Sequence, residues 1–237
     1  MKAMFRLLMV ISVFSFQRPD FTFSGELNID QVLQLMEETN LQLEDMQADF
    51  VQTKEMALFD ERIVSKGKFY FRNPDKLILD TKFPEHQQLI INHNRVWLHY
   101  PELKQVHEYS SRQSKGLDAL FVGFGGSVKN IRQQFSVSLE KIEKDRQGRY
   151  SYTLALCPLP GTPAASPALS LERVVLTVAE SNWYPLKTQI VQKNGDWTIL
   201  EYSNHKVNLK LSEARFTFIP PAGTEIIDHS ERNGVAQ

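Results

Sequence analysis

The chain has 237 residues, of which 42% are hydrophobic and 23% charged, with a net charge of −1. That length can bury a sizeable core in one large domain or two small ones. The near-neutral balance excludes the cationic footprint of a nucleic-acid binder. Fifteen phenylalanines mark the chain more than its charges do, and Cys157, the one cysteine, leaves no intramolecular disulfide to form.

The N-terminus reads as an export signal over residues 1–24. Lys2 and Arg6 precede an apolar run over residues 7–16, too short to span a bilayer and suited to a signal-peptide core. Val13-x-Ser15 and Thr22-x-Ser24 are alternative cleavage sites, and an uncleaved anchoring N-terminus is the competing reading. No cysteine follows the run to carry a lipid, and no later segment reaches the length of a membrane span. The expected product is an exported, soluble protein with a single domain over residues 25–237.

A helix is expected from Asn28 or Asp30 to about Asp45, with Ile29, Val32, Leu33 and Met36 on one stripe. The period then changes to two. Met46, Ala48 and Phe50 open a first strand, residues 63–72 form a second and residues 77–79 a third. Residues 89–91 and 95–100 form a hairpin about His93, and residues 105–109 add a strand. Between residues 114 and 134 the alternation stops. Leu117, Leu120, Phe121 and Phe124 are spaced for one short helix, Val128 and Ile131 for another, with Gly123, Gly125 and Gly126 as a hinge between them.

Strands resume over residues 135–143 and 149–156, and the Pro- and Ala-rich stretch from Cys157 to Ser170 reads as a loop. Residues 171–178, 186–192 and 197–202 follow, the last two joined by Asn194-Gly195, a strong hairpin signal. Residues 214–219 are expected to be the final strand. Short connections throughout imply antiparallel neighbours, and the economical architecture is one sheet with helices against one face.

Nothing in the sequence assembles a catalytic centre. His86, His93, His99, His107, His205 and His229 form neither an H-x-H nor an H-x-x-x-H pair, so surface strand histidines are expected, with no metal site and no cofactor. Cys157 has no local histidine, the glycines near Phe124 lack the lysine of a phosphate cradle, and no G-x-S-x-G elbow occurs. The remaining class is a binding module for an apolar guest. Phe69-Tyr70-Phe71 would make both faces of a strand greasy, which fits a filled core with Tyr70 outward or a partly hollow interior. Periodicity leaves both open.

Four stretches, in order, resemble the LolA family of periplasmic outer-membrane lipoprotein carriers. They are Phe50-Val51-Gln52 after the first helix, Gly67-Lys68-Phe69-Tyr70-Phe71 running to Pro74, Trp97-Leu98-His99-Tyr100-Pro101, and Phe216-Thr217-Phe218-Ile219-Pro220-Pro221-Ala222-Gly223. The resemblance implies a mainly β fold with some α, an incomplete, half-open antiparallel β-barrel under an α-helical lid that encloses an apolar cavity. It implies a monomer in the periplasm of a Gram-negative bacterium, taking acylated lipoproteins from an inner-membrane ABC exporter to an outer-membrane receptor. The expected lining is Leu33 and Met36 from the helix, Phe69, Phe71, Leu77, Leu79, Leu89, Ile91 and Trp97 from strands, and Leu117, Leu120 and Phe121 from the lid.

One departure stands out. The family places an arginine directly before the proline, where it helps hold the lid; here that residue is Asn73, with Arg72 one position earlier. A one-residue shift on a strand reverses the face. Arg72 and Asn73 are therefore the expected lid–strand contacts, with the lid held differently or the cargo changed. A carrier of free lipid or glycolipid, and an envelope-stress sensor, are the alternatives on the same scaffold.

Overall fold

A computed structural model describes residues 26–59, 61–110, 121–125, 128–166 and 170–229. The expected signal segment, Leu117 and Leu120 lie outside them. Helix α1 (Ile29–Leu41) starts where the sequence places it, because Asn28 and Gln31 form a reciprocal capping box. It ends four residues short of Asp45. Its stripe of Val32, Leu33 and Met36 is buried.

Strands β1 (Asp45–Met56), β2 (Glu61–Arg72), β3 (Lys76–Phe83), β4 (Gln87–Asn92), β5 (Arg95–Tyr100) and β6 (Gln105–Ser110) run as successive antiparallel neighbours. After the short helix α2 (Val128–Gln134) come β7 (Phe135–Lys144), β8 (Tyr150–Pro158), β9 (Leu171–Ala179), β10 (Pro185–Gln192) and β11 (Trp197–Val207). Pairing of β1 with β11 joins the two halves into one sheet. Its order is β12-β6-β5-β4-β3-β2-β1-β11-β10-β9-β8-β7, so the sheet is open, with β12 (Glu225–Asp228) and β7 at its edges. The β7 edge carries Lys141 and Glu143, charges that discourage pairing with another chain.

Three sequence expectations are corrected. Cys157 and Pro158 extend β8 rather than opening a loop, because the β7–β8 ladder continues through Ser136–Cys157 and Phe135–Pro158. Residues 214–219 are not a strand but helix α3 (Glu213–Phe216) and an irregular run after it. The last strand is instead β12, which lies beyond Pro220-Pro221 and pairs in parallel with β6. A parallel neighbour needs a crossover, and residues 208–224 supply it along one face of the sheet. The helices therefore do not all sit on one side.

Strand β2 shows how both faces are covered. Phe69 and Phe71 lie opposite Leu79 and Leu77 and join one cluster with Met46, Phe50, Ile91 and Tyr202. Tyr70 points the other way, opposite Ile78, beneath the Arg215 guanidinium at 4.5 Å. On that outer face Phe216, fully buried, packs with Ile78, Ile90, Trp97 and Val106. On the inner face a third cluster gathers the α1 stripe with Tyr152, Leu154, Val174 and Leu176 of β8 and β9.

The crossover is fastened at its root. Asp45, nearly fully buried, accepts hydrogen bonds from the amides of Leu209 (2.7 Å) and Leu211 (2.8 Å). Further on, Glu213 pairs with Lys76 and, at 3.4 Å, with Arg72. Replacing Asp45 with alanine leaves two amides without their charged acceptor and is expected to cost about 3 kcal/mol in a urea melt, with Asp45→Asn recovering part.

Burial also depresses two imidazoles. His99, beside Phe218 and near His86, and His205, against the Pro185 carbonyl at 2.9 Å, both titrate below the ordinary value of 6.5, chiefly through desolvation. The unfolded chain then binds more protons than the folded one just below that value. Stability is expected to fall as pH drops through about 6.5, and a His99→Gln, His205→Gln variant should show a flatter dependence of melting temperature between about pH 7.5 and about pH 5.5.

Candidate functional site

The two inner clusters meet on the sheet at β10. Thr188 is opposite Leu200 of β11 on one side and Leu176 of β9 on the other, and these leucines belong to different clusters. Residues 121–125 cross this seam. Val122 is buried in the cluster with α1, whereas Phe124 is buried in the cluster with β2. One short segment thus staples the halves of the interior together.

Its geometry depends on glycine. Gly123 and Gly125 have φ of +90° and +66°, left-handed conformations that disfavour a side chain. A Cβ on Gly123 would lie 2.7 Å from the Pro185 side chain, and one on Gly125 would lie 2.6 Å from Cζ of Phe71. Between them the Phe124 ring sits 4.7 Å from Phe69, 5.9 Å from Phe71 and 5.3 Å from Tyr202. Tilted and edge-on pairs at such spacings are favourable beyond the area they bury. Phe121 adds an edge contact to Phe71 at 6.3 Å.

The expected lining divides among three places. Phe69, Phe71, Leu77, Leu79 and Ile91 come together on the inner face, with Leu89 and Phe121 packed at their margin. Leu33 and Met36 face the same side but belong to the neighbouring cluster over β8 and β9. Trp97 does not join either. It pairs in register with Ile90 on the outer face and packs on Phe218 at 5.8 Å, because Val96 takes the inward position on β5. The sequence reading placed the tryptophan one residue out of phase.

Arg72 and Asn73 also part company. Arg72 turns to the outer face, donating to the Leu211 carbonyl and pairing with Glu213, so it holds the crossover and not residues 121–125. Asn73 donates to the Leu43 carbonyl at 2.9 Å, tying the turn after β2 to the exit of α1. Its Oδ1 lies 3.3 Å from where a Cβ on Gly125 would be. Asn73 is therefore the member of the pair that lies next to the inner segment, while its amide is used on Leu43. Both residues border a cleft of about 520 Å³ with Leu41, Leu43, Glu44, Asp45, Lys210 and Leu211.

Three inner residues are missing from the expected lining: Phe124, Thr188 and Tyr202. Phe124 has helix spacing with Phe121 in the sequence, and its place between glycines is the signal that sets it apart. Thr188 and Tyr202 carried no signal, since a threonine and a tyrosine in strands are ordinary. Among the described residues, no group of three or more His, Cys, Asp or Glu is arranged to hold a metal. The arrangement is an aromatic and aliphatic interior in which the Phe124 ring is buried.

A family model described as outer membrane lipoprotein carrier protein LolA matches residues 42–219. An uncharacterized protein of Methanocaldococcus jannaschii is 26% identical over 226 residues; the match covers 93% of this chain and 58% of that protein. An outer-membrane lipoprotein carrier protein of Methylibium petroleiphilum is 28% identical over 173 residues, 69% of this chain and 72% of its own. Among solved structures, an uncharacterized conserved protein from Thermus thermophilus shares the fold with a TM-score of 0.52 at 14% identity, over 84% of this chain and 98% of that one.

Gly125→Ala is expected to lose about 1–3 kcal/mol, because the new methyl meets Phe71 in a strained backbone conformation. If the clash is the cause, the same change made in a Phe71→Ala background should cost clearly less, a non-additivity that denaturation of the four proteins measures.

Proposed function

This chain belongs to the LolA family of outer-membrane lipoprotein carriers, and on that premise we propose that its inner face binds acyl chains and ferries them through the periplasm. The observation that carries this reading is Phe124: a buried ring on a short segment between left-handed glycines, seated among Phe69, Phe71 and Tyr202. Withdrawal of residues 121–125 would vacate an apolar slot over the sheet, and an acyl chain would take the place of the ring. In that state the open sheet would hold an apolar cavity beneath the lid.

The magnitudes permit such an exchange. Unseating a phenylalanine side chain costs about 3 kcal/mol in lost burial. Each buried methylene returns about 0.8 kcal/mol, so four methylenes offset the ring and a longer chain wins. The attraction is non-directional, which suits cargo that varies in chain identity and must be released. The Asn73 amide donates to the Leu43 carbonyl, and residues 121–125 are held mainly by the Phe124 ring contacts. In this scheme the chain receives acylated lipoproteins from an inner-membrane ABC exporter and delivers them to an outer-membrane receptor.

Purified protein added to spheroplasts carrying labelled lipoproteins is expected to bring label into the supernatant as a complex. Absence of release, with phospholipid or glycolipid recovered from the protein by mass spectrometry, would keep the acyl site and replace the cargo. Absence of both would sink the carrier reading. Phe124→Ala should lower folding stability by about 3–5 kcal/mol yet strengthen binding of a fluorescent fatty-acyl probe, because the plug is gone. A loss of probe binding in a folded Phe124→Ala protein would contradict the exchange.

A further inference from the structure

We propose that the hydroxyls of Thr188 and Tyr202 form a polar anchor inside the apolar interior for the ester carbonyl of an acyl ligand. The proposal rests on the acyl-site reading above and adds the chemical group that the site recognises. Thr188 has no exposed surface, and its Oγ1 has no hydrogen-bond partner. It stands at the seam between the two clusters, flanked in register by Leu176 and Leu200. The Tyr202 phenol lies beside it without closing a well-formed hydrogen bond.

A buried hydroxyl that makes no hydrogen bond costs free energy, and a valine would fill the same space without that cost. An unpaired hydroxyl beside a removable plug is accounted for if its partner arrives with the ligand. Phe124 touches Tyr202 directly, so the movement that admits an acyl chain also uncovers the phenol. Burial pushes the Tyr202 pKa strongly upward, so the phenol keeps its proton and remains a donor.

The donor set selects the ligand group. Each hydroxyl carries one proton that it can donate. An ester carbonyl brings two lone pairs and no donor, and therefore accepts from both. A carboxylate or phosphate would need a cation within reach to offset its desolvation. Lys76, the buried cation among the described residues, turns to the outer face and pairs with Glu213. An uncharged ester is the group that fits.

The test compares monopalmitoylglycerol with its ether analogue monohexadecylglycerol, which lacks the carbonyl, by calorimetric titration of the purified full chain. The wild-type protein should prefer the ester by at least about tenfold, the value of one of the two hydrogen bonds. Thr188→Val and Tyr202→Phe should each reduce that preference towards unity, read as the ratio of the two affinities within each variant. Thr188→Val should melt no earlier than wild type, since it removes an unpaired hydroxyl at constant shape. Equal wild-type affinities, or a preference that survives in the double variant, would overturn the anchor and leave the acyl site standing. A lower melting temperature for Thr188→Val would overturn it as well, by making the hydroxyl structural. Binding of neither compound would remove the acyl site and the anchor together.

Discussion

The insertion of Phe124 between β2 and β11 is the contact on which the interior depends. The inner face carries two apolar clusters, one under α1 and one over β2 to β4, and backbone pairing alone does not bind their side chains to each other. Residues 121–125 do, with Val122 in one cluster and Phe124 in the other. The segment passes close to Pro185, Leu176 and Phe71 only because glycines flank the ring on both sides. In the proposed exchange, a staple fixed by a single ring is strong enough to order the interior and weak enough to be displaced by a few methylenes. On that proposal, stability and cargo exchange draw on the same contact.

The outer face solves a different problem. A sheet whose strands are apolar on both sides must cover both. The crossover does this by laying Phe216 and Phe218 against Ile78, Ile90 and Trp97, while Arg215 caps Tyr70. Asp45 and the Glu213 ion pairs hold that strap along its length. Arg72 is committed to the strap, which leaves the turn at Asn73 to meet the inner segment with a neutral amide. Charge is concentrated on the face that the crossover covers, and the face proposed to exchange cargo is held by apolar contacts.

Much of this architecture was legible beforehand. Asn28 as a candidate cap and the stripe of Val32, Leu33 and Met36 located α1, and alternation located nearly every strand through β11. Of the expected lining, Phe69, Phe71, Leu77, Leu79 and Ile91 do converge on one face. Trp97 failed because Val96 and Trp97 are both apolar and alternation cannot choose between them. Residues 214–219 failed because Phe216 and Phe218 have strand periodicity but lie on a sheet instead of within it.

What the sequence determined by itself is therefore local: which segments are helical or extended, where hairpins turn, and that β2 is apolar on both faces. These follow from short-range capping, turn chemistry and period. The tertiary structure decided which face each apolar residue serves, that the sheet remains open, that β12 returns in parallel beside β6, and that Thr188 lies at the seam between the two inner clusters. Those outcomes depend on contacts between residues far apart in the chain. Hydrophobic burial is non-directional, so the pattern of one segment does not specify which distant segment will cover it.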